Sequence, residues 1–295
     1  MTETAERPAS PPFALRRPSP QTMPAVFASP HSGRDYPASF LAASRLGLPS
    51  LRRSEDCWVD ELFAAAPALG APLIAALFPR SFVDPNREAF ELDPQMFEDG
   101  LPLAANTASP RVAAGLGVIP RVVATGEEIY AGKLRFAEAA GRLERYWRPY
   151  HEALAAEIEA TRRRFGLCVL VDCHSMPSSG GPLDRDIGWD RVDVVLGDCR
   201  GTSCAAALTD HAEAALRRLG YSVARNNPYS GGFVTQHYGR PSEGVHALQI
   251  EVNRALYLDE ASLRRGPGFA RVVADMTDFI RALSTLSLGL AAAAE

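Results

Sequence analysis

Residues 167–175 read LCVLVDCHS. The apolar run Leu167–Val171 is too short for an ordinary helix and rich in valine, so it specifies a buried strand. It stops at Asp172 and His174, groups that an apolar strand carries at a cost unless its end opens on something polar. The same pattern recurs on either side. Ala25–Ser29 leads to His31 in AVFASPHSG, and Leu73–Leu77 leads into FPRSFVDPNRE. Ala247–Val252, within ALQIEVNR, carries Glu251 and runs into Asn253 and Arg254. Val192–Leu196 and Tyr221–Ala224 are two further strand candidates. Between them lie amphipathic stretches at 56–68, 133–165 (broken at Pro149), 203–219 (stopped by Gly220) and 262–283 (interrupted at Pro267). Strands alternating with helices imply an α/β fold, a mostly parallel or mixed central sheet with helices on both faces.

No internal repeat and no Gly/Ser linker interrupts residues 22–290, so one α/β domain over 22–295 is expected. Residues 1–21 hold five prolines and no apolar period, which predicts a flexible arm. Of the 295 residues 46% are hydrophobic and 22% charged; 31 Lys and Arg face 35 Asp and Glu, a formal net charge of −4. A nucleic-acid surface needs a basic excess, so that class is excluded. No apolar run approaches the ~20 residues of a membrane span, and the polar start MTETAERPAS lacks the apolar core of a secretory signal. The five cysteines are too sparse for a disulfide framework, and neither close pair has CxxC spacing. They are expected to be reduced, mostly buried thiols of a cytoplasmic protein.

In open α/β sheets, sites form beyond the carboxyl ends of the strands, and here four segments end in chemistry. His31 and His174 suit a metal centre with a water-accepting position, or equally a pair of hydrogen-bonded loop histidines. A third, carboxylate ligand is sought in SEDCWVDELF, where Ser54 is a candidate helix cap and Glu55 and Asp56 fall in a first turn. Asp56 and Asp60, four apart, would share a helix face as ligand and supporting partner. Glu251 breaks an apolar alternation, as a functional carboxylate or as the polar face of an edge strand. Arg87 and Arg254 have the fork for a substrate carboxylate, or else pair with acids such as Asp84 and Asp60. His237 follows a Gly-rich loop able to close over a substrate. His151 and His211 lie in helical stretches and are expected to be solvated; His246 has no assignable role. The SMPSSGG stretch lacks both the spacing and the lysine of a phosphate loop, and Ser175 lacks a GxSxG elbow.

The ordered series SPHSGRDYP, EDCWVDELF, FPRSFVDPNRE, VDCHSMPS, NNPYSGGFVTQHYG and LQIEVNRALY, spread from about Met23 to Leu283, resembles the N-formylglutamate amidohydrolase family. That family is related in fold to zinc carboxypeptidases and to the aspartoacylase and succinylglutamate desuccinylase group. The resemblance implies a zinc-exopeptidase-like fold and one zinc ion, or another divalent metal, per chain. It casts His31 and His174 as ligands and Glu251 as general base. In DPNR, it casts Asn86 and Arg87 as holders of a substrate carboxylate, and Arg80 as the group polarising the scissile carbonyl. The implied reaction releases formate and glutamate from N-formylglutamate; deacylation of another N-acyl amino acid, carboxypeptidase-like hydrolysis and a catalytically silent binding role are the alternatives. The related enzymes carry their carboxylate ligand three residues after the first histidine, where this chain has Arg34. Asp56 is therefore taken as the third ligand, with Glu55, Asp60 and Asp35 as alternatives. Arg254 and His237 complete the expected substrate contacts.

Overall fold

Seven strands form one mixed sheet in a computed structural model that describes residues 11–292, with side chains through 285. They are β1 Phe13–Arg16, β2 Ala25–Ser29, β3 Leu73–Ala76, β4 Cys168–Met176, β5 Val194–Gly197, β6 Val223–Arg225 and β7 Val245–Asn253. Their order is β1-β3-β2-β4-β7-β5-β6. The central strands β3, β2, β4 and β7 run parallel to one another, while β1 pairs antiparallel to β3 and β5 antiparallel to β7. The carboxyl ends of the four parallel strands therefore share one edge of the sheet.

Side-chain alternation builds a core on each face. Val169, Val171 and Cys173 of β4 join Leu248, Ile250 and Val252 of β7 beneath the helices Ala206–Arg218 and Phe269–Ala292. Cys168 and Leu170 join Val245 and Ala247 on the other face, against the helix Arg148–Phe165. Continued toward the carboxyl edge, that second face turns polar: Asp172 and His174 on β4 lie directly across from Gln249 and Glu251 on β7. The face is apolar along the first half of both strands and polar, though still buried, toward their carboxyl ends.

Four expectations are corrected. The 1–21 arm is ordered in part: Phe13–Arg16 is a strand, with Phe13 and Leu15 packed on the core and its backbone capping the edge of β3. Residues 1–10 lie outside the described residues. The helix expected over 56–68 shrinks to Val59–Leu62 and the turn Pro67–Leu69, because Trp58 takes a left-handed conformation (φ 68°). Arg34 and Arg265 sandwich its ring at 4.3 and 4.6 Å, and its indole N–H donates to the Leu263 carbonyl at 3.1 Å. Those anchors outweigh the local cost of the conformation. The last helix starts at Phe269 rather than 262, since Leu258–Asp259 and Arg264–Arg265 pair as a short hairpin before it. His151, expected in solvent, is buried between the Tyr238 hydroxyl (2.9 Å) and the Pro85 carbonyl (2.8 Å), and burial pushes its pKa down to about 4.

The expected break at Pro149 is a bulged turn, Leu143–Trp147, leading into the helix whose first turn holds the proline. All five cysteines are free, four of them buried. Among the described residues no helix is long and apolar enough to cross a membrane.

Candidate active site

A cavity of about 200 Å³ opens at the shared carboxyl edge. His31 stands two residues beyond β2, Arg80 to Arg87 follow β3, His174 is in β4, and Glu251 with Arg254 ends β7. Asp56 comes from the loop that the left-handed Trp58 turns back, its backbone N–H donating to the His31 carbonyl at 3.0 Å. Gly33 permits this approach: a Cβ there would stand 2.1 Å from the Phe78 carbonyl oxygen, so only glycine lets the His31 loop lie against the end of β3.

His31, Asp56 and His174 are buried with ligand atoms within 4.8 Å of one another. The Nδ1 atoms of both histidines face one oxygen, Asp56 Oδ2, at 3.3 and 3.0 Å. Their far sides face carboxylates too: His31 Nε2 lies 2.7 Å from Asp84 Oδ1, and His174 Nε2 3.0 Å from Asp172 Oδ1. His31 Nε2 can donate to Asp84, while the Asn86 amide nitrogen lies 3.2 Å from His174 Nε2, and the Nδ1 atoms of both rings converge on Asp56 Oδ2. Two imidazole nitrogens and a carboxylate oxygen converging on one point are a donor set that suits zinc once the Nδ1 protons are given up, with carboxylates behind the rings that fix their orientation. Asp172 reinforces the point: it is fully buried, and apart from that ion-pair contact its oxygens have no hydrogen-bond partner among the described residues.

Burial would raise the Asp56 pKa, but the contacts with His174 and His31 and the charge of Arg254 hold it well below the usual carboxylate range. Asp84 is likewise held low against its burial by Arg80, His31 and Arg87. For His174 burial works against protonation, yet Asp172, Asp56 and Glu251 carry its pKa well above that of an ordinary imidazole. Glu251 goes the other way: burial pushes it up to about 7, only partly offset by His174, Arg80 and Arg254. The single hydrogen bond to its carboxylate comes from Gln249 Nε2 at 2.8 Å, among the described residues. Two adjacent carboxylates, Asp56 and Glu251, are thus driven to opposite protonation behaviour by their surroundings.

The expected ligand alternatives fall away. Glu55 accepts from Tyr36, Arg52 and Cys57; Asp60 pairs with Arg34; Asp35 is exposed. Asp60 shares no helix face with Asp56 because the chain is not helical at Trp58, and Ser54 accepts from the Ala124 N–H rather than capping a helix. Glu251 sits on a strand between β4 and β5, not at a sheet edge.

The expected substrate contacts are partly redistributed. Arg80 and Arg87 line the cavity; Arg80 donates to Asp84 at 2.8 Å, and Arg87 to the carbonyls of Leu116 and Asn86. Asn86 is committed to scaffolding, its Oδ1 accepting from Val234 N–H at 2.8 Å and its Nδ2 lying 3.2 Å from His174 Nε2. Arg254 holds Asp56 Oδ1 at 2.8 Å and Ser175 Oγ at 3.1 Å, so it is committed to Asp56 rather than being a free clamp. His237 points to solvent from the helix Phe233–Tyr238, stacked on Phe233, and does not line the cavity. The preceding Gly-rich loop does line it, through Tyr229 to Gly232. Arg111 and Asp184 also reach the cavity; neither sits in a strand-end pattern that would single it out in the sequence.

A mixed sheet whose parallel strand ends bring two histidines, Asp56, Glu251 and arginines to one cavity is the framework of an amide-hydrolysing enzyme. The chain belongs to the N-formylglutamate amidohydrolase family, whose sequence profile matches residues 23–258. N-formylglutamate deformylases of Pseudomonas putida and Pseudomonas aeruginosa are 30% and 31% identical over 244 residues, 81% of this chain and 83% of each relative. The crystal structure of N-formylglutamate amidohydrolase from Ralstonia eutropha JMP134 superposes with a TM-score of 0.84 at 38% identity, covering 96% of this chain and 98% of that one. A gene product of Agrobacterium tumefaciens, 19% identical, shares the fold with a TM-score of 0.66 over 94% of this chain and 96% of its own.

Proposed function

We propose that this chain hydrolyses the amide of N-formyl-L-glutamate to formate and glutamate, with one zinc ion held by His31, Asp56 and His174. The observation that carries the reading is the register of β4 and β7, which sets Glu251 directly across from His174 on the face that opens into the cavity. A divalent cation in the triad supplies Lewis-acid polarisation of a water molecule and of the scissile carbonyl.

The chain's own groups account for the rest. Glu251, with a pKa near neutrality, takes a proton from the attacking water and returns it to the amine as the C–N bond breaks. Water oxygen ends on the formyl carbon and the proton on nitrogen, giving formate and the free amino acid. Arg80, half-buried at the cavity wall, donates to the oxygen that becomes negative as that carbon turns tetrahedral, a contribution on the order of 3–4 kcal/mol for a well-placed donor. Arg87 receives a substrate carboxylate and so fixes the amide over the base. Desolvation has already lowered the Arg87 pKa to about 10, and an anion beside it restores the charge balance.

Incubation of the purified, metal-assayed protein with a panel of N-formyl, N-acetyl and N-succinyl amino acids tests the reading. Release of glutamate from the formyl compound with about one zinc per chain is the expected result. Metal-replete protein that turns over none of the panel refutes it.

A further inference from the structure

Resting on that reading, we propose that Arg111 is the specificity residue of this site, receiving the side-chain carboxylate of the N-acyl amino acid while Arg87 receives the carboxylate next to the amide. Arg80, Arg87 and Arg254 each spend hydrogen bonds on the protein. Arg111 lines the same cavity, is exposed, and its guanidinium has no hydrogen bond or ion pair among the described residues.

Its mount is rigid although its side chain is free. It sits in the one-turn helix Pro110–Ala113, capped by Ser109, whose hydroxyl accepts from Val112 N–H at 3.0 Å and donates to Glu91. The segment that follows supplies the Leu116 carbonyl that orients Arg87. Gly117 lies so close to the Glu91 carbonyl oxygen that a Cβ would stand 2.4 Å from it, which holds the segment in place. One short stretch thus aims Arg87 and presents Arg111. The two guanidinium groups are near enough that Arg111 disfavours the charge on Arg87, which Asp84 and Glu91 favour.

The substrate's covalent geometry decides which carboxylate goes where. The α-carboxylate hangs on the carbon that bears the amide nitrogen, so it must stay deep, beside the buried Arg87. The γ-carboxylate lies at the far end of the side chain and reaches the rim, where Arg111 waits. An unpaired surface cation that gains a charge-assisted hydrogen bond with substrate is worth roughly 10–100-fold in affinity.

Steady-state kinetics of wild type and Arg111→Ala on N-formyl-L-glutamate and on its neutral isostere N-formyl-L-glutamine test the assignment. The expected result is a KM for the glutamate compound raised at least about tenfold, with kcat within threefold and the glutamine compound affected less than twofold. Arg111→Lys should recover part of the loss. The substitution is on the surface, and an unchanged melting curve will show that the fold is intact. Equal effects on both compounds, or none on either, overturn the assignment while leaving the amidohydrolase reading in place. A wild type that turns over neither compound overturns that reading, and the role of Arg111 with it.

Discussion

Glu251 is placed by the β4–β7 register opposite a protonatable imidazole, yet among the described residues receives a single hydrogen bond, from Gln249. A carboxyl so poorly solvated favours its neutral form, as a proton acceptor must if it is to release that proton later. Glu251→Gln keeps the shape and loses the basicity, so kcat should fall by roughly 10²–10⁴. Metal content should stay at the wild-type level, because the triad is untouched. The same variant tests the electrostatics of the metal-free protein. The folded-state pKa of about 7 lies above the ordinary value of 4.5, so the native state binds the proton more tightly than the unfolded chain does. That advantage is full below pH 4.5 and disappears as pH rises through 7. At pH 8 the ionised Glu251 should therefore cost the metal-free protein on the order of 3 kcal/mol, and Glu251→Gln should melt higher there but not at pH 4.5. A melting curve shifted equally at both pH values would deny the buried charge. Arg87 makes a separate prediction. Arg87→Ala should raise KM steeply for a substrate with a free α-carboxylate and much less for its methyl ester, since only the charged form loses an ionic partner.

At the scale of elements, the strand ends were legible and the turns between them were not. Leu167–Val171 followed by Asp172 and His174, and Leu248, Ile250 and Val252 alternating with Gln249 and Glu251, are patterns whose change of polarity marks where each strand reaches the cavity. Local sequence carries that information because it is a property of one strand. Asp56 stands beside His31 and His174, but not in the expected helical setting: tertiary contacts to Trp58 from Arg34 and Arg265, far apart in sequence, override the local preference. The strand Phe13–Arg16 was hidden for a related reason, since two inward residues are too few for a period to show. His237 was chosen for its neighbours, and one helical turn rotates it away from the cavity that those neighbours line. The loops that replace it make a testable claim about packing. A Cβ on Gly232 would fall 2.4–2.6 Å from the Asn86 side-chain amide, which braces His174 and Val234. Gly232→Ala should therefore displace Asn86 and lower kcat at least tenfold, at a stability cost of about 1–3 kcal/mol. Full activity in a stable variant would show that the Asn86 brace is dispensable.

On the scale of the whole molecule, the sheet gathers four acids around two imidazoles: Asp56, Asp84, Asp172 and Glu251, all buried. They come from four separate segments, so folding must bring like charges together where water screens them little. Arg80, Arg87 and Arg254 offset part of this repulsion, and the Nδ1 atoms of both histidines converge on Asp56 Oδ2 at 3.3 and 3.0 Å, where a cation can replace their protons. A cation bound there binds the folded chain and not the unfolded one, because only the fold assembles the donors, so binding energy becomes folding energy. With the metal at about 1,000 times its dissociation constant, the linkage is worth about 4 kcal/mol. For a domain of this size that corresponds to a melting temperature lowered by on the order of 5–10 °C on chelation. Zinc added back should restore both the melting temperature and activity at about one ion per chain. The double variant His31→Ala, His174→Ala should bind no zinc and should melt at one temperature with or without chelator. If that variant still took up a full equivalent of zinc, the metal would lie elsewhere, and the convergence of acids at this sheet edge would need another explanation.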